Sequence, residues 1–219
     1  MRKNELVSLL LNASVVVLSI IGFVLTTHEG IQIFEYYTQN SNLLACISSL
    51  LFIIFVIAKK EINNIPFFVM ALRYISTCCL ELTFIVVVAI LAPTMSNNYF
   101  EGLIYLLTNG SMLFHHLLCP IISLISFIFF EGDRRLNKKK TIWLALIPTL
   151  IYGFIMMLLN VLKVVEGPYP FLMVYNQKWY MSIIWIIVIF VVDYIISRNI
   201  LLFNQIRAPR IKLKRDENK

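Results

Sequence analysis

Charge is scarce in this chain: only 14% of its 219 residues are Asp, Glu, Lys or Arg, where a soluble domain averages about a quarter. So few charges cannot cover a water-exposed surface. That excludes an ordinary soluble enzyme, a nucleic-acid module and a disordered regulator. Cysteine is sparse too. The four present (Cys46, Cys78, Cys79 and Cys119) fall in apolar stretches without C-x-x-C spacing, so they read as small packing residues rather than a disulfide framework or zinc site. The three histidines and scattered carboxylates define no metal site, and no cofactor is expected. The short connections between the apolar stretches leave no room for a second domain, and neither a low-complexity linker nor an obvious internal repeat is expected.

What the chain has instead is hydrocarbon. Hydrophobic residues make up 59% of it, and the mean hydropathy is +0.81. A helix needs about 20 apolar residues to cross a bilayer, and six stretches qualify: roughly Leu6–Thr27, Asn40–Ala58, Ile65–Leu91, Gly102–Phe130, Thr141–Val165 and Trp179–Phe203. The first follows Arg2 and Lys3 like a signal peptide, but it is too long and no small-x-small cleavage site follows, so a retained span is expected. The predicted fold is therefore all-α and polytopic: a six-span domain over residues 1–203 and a basic tail over 204–219. Basic residues concentrate before the first span, in the second and fourth connections, and in the tail; the other connections carry only Lys163 and Lys178. The positive-inside rule then places both termini in the cytoplasm.

The informative residues are the polar ones inside the spans, because a charge at mid-bilayer costs at least ~2.5–3.5 kcal/mol without a partner or a wet cavity. Counting 1.5 Å per residue from the cytoplasmic charge clusters puts Thr38, His116 and Glu81 at ~31, ~27 and ~23 Å, in one layer on the outer side. Arg73 and Asp193 fall lower, at ~10 and ~8 Å. The lower pair reads as a structural ion pair tying the third span to the sixth. In the upper layer, Tyr36–Cys46 (YYTQNSNLLAC) opens a span with five successive polar residues, more than helix capping needs. Leu106–Pro120 (LLTNGSMLFHHLLCP) adds Asn109, Ser111, His115 and His116. A hydroxyl becomes a nucleophile when a base takes its proton, and neutral imidazole suits that task. Spacing does not choose among Thr38, Ser41 and Ser111. The Asn40 and Asn42 amides, or backbone N–H groups, are candidates to hold an oxyanion, with Glu81, Asn109 and Ser111 in the same layer.

Three pieces now occur together: a polar Thr at the start of the second span (YYTQNSNLL), a His just before a Pro in the fourth (HHLLCP), and the Gly167–Leu172 turn (GPYPFL). In this order, over about Tyr36 to Tyr194, they resemble the androgen-induced and androgen-dependent membrane hydrolases and the bacterial six-span proteins grouped with them. The resemblance implies a multi-pass threonine hydrolase of lipid esters, notably fatty-acid esters of hydroxy fatty acids. The nucleophile falls on Thr38 and the base on His115 or His116, the bacterial context ISFIFFE favouring His116. The QNSN after Thr38 departs from the animal pattern. Tyr169 and Pro170 of the rigid turn read as a lid over the upper cavity. The character of the chain and its basic tail point to a bacterial plasma membrane, with membrane lipids as partners and a lipid ester as substrate. The competing expectations are a small-solute transporter or channel, and a non-enzymatic membrane partner of another protein.

Overall fold

The computed structural model describes residues 3–59, 65–136 and 139–207. Arg2, Lys60, Lys138 and the basic tail beyond Arg207 lie outside the described residues. Every regular element among the described residues is helical. The helices are α1 (Lys3–Thr26), α2 (Tyr37–Lys59), α3 (Phe67–Val86), α4 (Ala92–Met95), α5 (Tyr99–Thr108), α6 (Cys119–Phe130), α7 (Lys139–Val161) and α8 (Trp179–Arg207). Among the described residues six stretches are long and apolar enough to cross a membrane, and the chain is a multi-pass membrane protein.

The bundle is apolar outside and partly polar inside, as lipid demands. Helix α1 buries Glu5, Ser8, Asn12, Val15, Ser19, Gly22 and Thr26, at the spacing of one helical face. Its large side chains Leu10, Val17 and Val24 point outward. Small and polar residues on the inner face let backbones approach and bond across helices, which is how membrane helices associate when the surrounding lipid is as apolar as leucine. Helix α2 meets α3 in the same way, through Ser48 Oγ to Ser76 Oγ at 2.7 Å and Ser41 Oγ to Thr83 Oγ1 at 3.0 Å.

Two turns of π-helix, Val87–Leu91 and Leu113–Leu118, each lie two residues before a proline, Pro93 and Pro120. Proline has no N–H to offer the carbonyl four residues back, so the chain widens there to i→i+5 bonding. The Ala92 N–H accordingly bonds the Val87 carbonyl, and the Cys119 N–H bonds Phe114.

The fourth span differs from expectation. A continuous helix over Gly102–Phe130 would be ~43 Å long against a hydrocarbon layer of about 30 Å. The chain instead ends α5 at Thr108 and turns at Asn109–Gly110, where Gly110 takes φ +53°. The membrane-length segment begins at Leu113. Asn109 is exposed in this turn, its carbonyl accepting from Met112 N–H, and Ser111 is half-buried beside it.

The expected Arg73–Asp193 pair is not formed. Arg73 is fully buried and pairs with Glu131, its Nε donating to Oε2 at 3.0 Å and its Nη2 to Oε1 at 3.2 Å. The rest of the guanidinium donates to Ser49, Ser48 and Ser123. Glu131 also accepts from Asn12 and Ser126. This lock joins α1, α2, α3 and the end of α6. Asp193 lies mid-way along α8, which continues to Arg207, and accepts a long bond from Ser197 Oγ at 3.4 Å.

Candidate active site at the start of helix α2

Thr38 occupies the first turn of α2, where backbone N–H groups have no partner within the helix. One of them is satisfied from outside: Thr38 N–H donates to Tyr169 Oη at 3.4 Å. The Thr38 carbonyl accepts from Ser41 Oγ at 3.0 Å and Asn42 Nδ2 at 2.9 Å, and Asn42 Nδ2 also reaches the His115 carbonyl at 3.1 Å. The backbone of Thr38 is thereby held on both sides, and its side chain is buried.

Adjacent histidines point in different directions around the π turn. His116 Nε2 lies 3.4 Å from Thr38 Oγ1, while Nδ1 lies 2.8 Å from the Leu106 carbonyl. A carbonyl can only accept, so Nδ1 carries the proton. Nε2 of the neutral ring is then the lone pair facing the Thr38 hydroxyl. His115 turns toward α1, its Nε2–H donating to the Ser19 carbonyl at 3.2 Å. Its ring packs against Gly22, where any Cβ would strike it, and edge-on to Phe23. Of the two histidines, only His116 contacts Thr38.

Several expected site residues serve elsewhere. The Asn40 amide donates to the Phe34 and Tyr36 carbonyls at 2.7 and 2.9 Å, closing the start of α2 instead of facing an oxyanion. The Asn42 amide is likewise committed to carbonyls. Ser41 bonds Thr38 O and Thr83, and no imidazole reaches it. Glu81 makes no hydrogen bond to Thr38 or His116, and its Oε1 has no partner among the described residues.

Thr38 borders an apolar cavity of about 270 Å³, whose lining does not include His116. Leu82 and Val86 of α3, Tyr152 and Met157 of α7, and Trp185 and Ile189 of α8 form its walls. Tyr169, Phe171 and Leu172 of the Gly167–Leu172 turn cover it, while Pro170 is exposed. Gly167 permits this turn at φ +91°, with the Leu172 backbone 3.2 Å from where a Cβ would sit. Buried Asn160 pins both arms, its amide donating to the Val165 and Glu166 carbonyls and its Oδ1 accepting from Val174 N–H. Burial pushes the Tyr169 phenol above its ordinary value, outweighing the opposing hydrogen bonds with Thr38, so the hydroxyl keeps its proton. The cavity also borders Leu150, Gly153 and Phe154 of α7 and Ile186 of α8, several of them on the lipid-facing surface, so it opens sideways between these helices.

Sequence reasoning missed Tyr169 as a direct neighbour of Thr38, Glu131 as the partner of Arg73, and Asn160 as the anchor of the turn. Only Asn160 carried a signal, as a lone amide ending an apolar run. The chain matches no protein-family model, no curated protein and no solved structure.

Proposed function

We propose that this protein is an intramembrane threonine hydrolase that cleaves acyl esters of lipids. The observation that carries the reading is the Thr38 Oγ1–His116 Nε2 approach at 3.4 Å, with the ring tautomer fixed by Leu106. Catalytic hydrogen bonds are commonly this long before substrate binds. The sequence resemblance to membrane threonine hydrolases points the same way.

In the proposed cycle the acyl chain lies in the apolar cavity with its ester carbonyl at Thr38. The hydroxyl oxygen attacks the carbonyl carbon as its proton passes to His116 Nε2. The Leu106 carbonyl, accepting from Nδ1–H, steadies the imidazolium that forms. Tyr169 Oη accepts from Thr38 N–H and keeps its own hydrogen for the oxyanion, the role expected earlier of Asn40 and Asn42. Collapse breaks the ester C–O bond, and His116 returns the proton to the departing alkoxide. Water then attacks the acyl-threonine, giving its proton to His116, and the carboxylic acid leaves as Thr38 is restored.

The concentration of Lys and Arg before the first span, in the second and fourth connections and in the tail of the sequence supports cytoplasmic termini, a site in the outer leaflet, and residence in a plasma membrane. A fluorophosphonate probe tests the nucleophile: wild-type protein is labelled on Thr38, and Thr38→Ala is not. Labelling that persists in Thr38→Ala contradicts the assignment.

A further inference from the structure

Pro120 leaves a carbonyl without its usual donor. In the π turn Leu113–Leu118 the Cys119 N–H is taken by the Phe114 carbonyl, five residues back. In the same register the His115 carbonyl would accept from residue 120, and Pro120 has no N–H. The donor arrives instead from another helix. Asn42 of α2 gives one amide hydrogen to the His115 carbonyl at 3.1 Å and the other to the Thr38 carbonyl at 2.9 Å. Asn42 is fully buried, and its Oδ1 has no partner among the described residues. Turned the other way, the amide would set Oδ1 against two carbonyl oxygens, so the two bonds fix its orientation and leave Oδ1 unpaired. An unpaired buried acceptor costs stability, and a leucine kept for packing alone would carry no such cost.

The bridge spans the two elements that carry the dyad: Thr38 itself and the residue before His116. The other bonds hold one partner each. The Leu106 carbonyl holds the His116 ring, Tyr169 the Thr38 N–H, and Ser41 the Thr38 carbonyl from within α2. Among the described residues, Asn42 alone bonds the backbone of both the first turn of α2 and the π turn. We infer that Asn42 is the positioning residue of the dyad: its amide, using the carbonyl that Pro120 sets free, holds the Thr38 hydroxyl at His116 Nε2. This deepens the hydrolase reading and rests on it for the catalytic consequence alone. It also gives the spacing in HHLLCP a physical role, since a proline five residues after His115 is what makes that carbonyl available to α2.

A stability cycle and a kinetic split test the assignment together. Pro120→Ala restores a backbone N–H, and the His115 carbonyl then gains a donor in either register: position 120 if the turn stays π, Cys119 if it relaxes to α. Asn42→Leu alone strands that carbonyl and lowers the midpoint of unfolding by SDS in mixed micelles. In the Pro120→Ala background the same change should lower it by at most about half as much, since the Thr38 carbonyl keeps its bond from Ser41. Kinetics separates positioning from support. Folded Asn42→Leu should hydrolyse a fluorogenic acyl ester with kcat reduced ~10²-fold, as a misplacement of about 1 Å can cause. KM should stay within about 2-fold, because Asn42 does not line the cavity. A merely structural Asn42 would lower the midpoint and leave the kcat of the folded protein unchanged. Equal midpoint shifts in the two backgrounds overturn the inference, as does an unchanged kcat in folded Asn42→Leu. Either result leaves the fluorophosphonate test of Thr38 untouched, so the two readings fail separately.

Discussion

The Arg73–Glu131 lock makes a quantitative demand on stability. Both side chains are fully buried, and every guanidinium nitrogen has an acceptor. Arg73→Met alone strands the Glu131 carboxylate, and Glu131→Leu alone strands the guanidinium. Each single change is expected to cost ~3–5 kcal/mol, the usual penalty for an uncompensated buried charge. The double variant strands neither. Ser48 keeps a bond to the Ala45 carbonyl at 3.1 Å, so its hydroxyl is not orphaned. Asn12 retains the Ser8 carbonyl at 2.9 Å. The double variant should therefore lose only ~1–3 kcal/mol, far below the ~6–10 kcal/mol of the summed singles. Unfolding in mixed micelles with increasing SDS, followed by far-ultraviolet circular dichroism, measures all four corners of the cycle. The parallel cycle on Arg73 and Asp193 should give additive losses, because those residues do not touch. A double variant at Arg73 and Glu131 that loses the sum of the singles within ~0.5 kcal/mol refutes the reasoning.

Other expectations follow from the site. Tyr169→Phe should lower kcat by ~10²–10³-fold, as removal of an oxyanion donor does, with little change in folding. Because burial raises the Tyr169 pKa, the phenol stays protonated above its ordinary value near 10. No Tyr169-dependent loss of rate should appear between pH 8 and 10, and a fall with a midpoint inside that range contradicts the assignment. Asn160→Leu removes three hydrogen bonds at the arms of the turn. It should raise the protease sensitivity of residues 162–178 and reduce activity, and an unchanged digestion pattern would show that the turn is held by other contacts. Gly22→Ala places a methyl group against the His115 ring. It should lower stability by ~1–3 kcal/mol, as overpacking does, which thermal unfolding in detergent would read.

The spans were legible in the sequence because lipid imposes long apolar runs that few other environments tolerate. The fourth was overextended because hydropathy is blind to a two-residue break such as Asn109–Gly110, set inside leucine-rich flanks. Depth along a single helix brought Thr38 and His116 to one level, yet it says nothing of rotation about the axis. It therefore grouped Glu81 with them and paired Arg73 with the wrong carboxylate. Arg73 faces the serines of α2 and α6, and Glu131 reaches it from the very end of α6, where a sequence reading expects a solvated charge. The depth assigned to Asp193 was counted from Arg198, although α8 continues through Arg207. Tyr169 could not be read as a neighbour of Thr38, since that contact depends on how a loop folds across the bundle.

Hydrolysis of a fluorogenic medium-chain acyl ester by purified protein in detergent tests the central claim most directly, with folding of each variant checked by its elution profile. The account predicts activity in the wild type, loss of at least ~10³-fold in Thr38→Ala and in His116→Ala, and retained activity in His115→Gln, whose amide can still donate to Ser19. Undiminished hydrolysis by Thr38→Ala, or loss in folded His115→Gln with His116→Ala active, would contradict it.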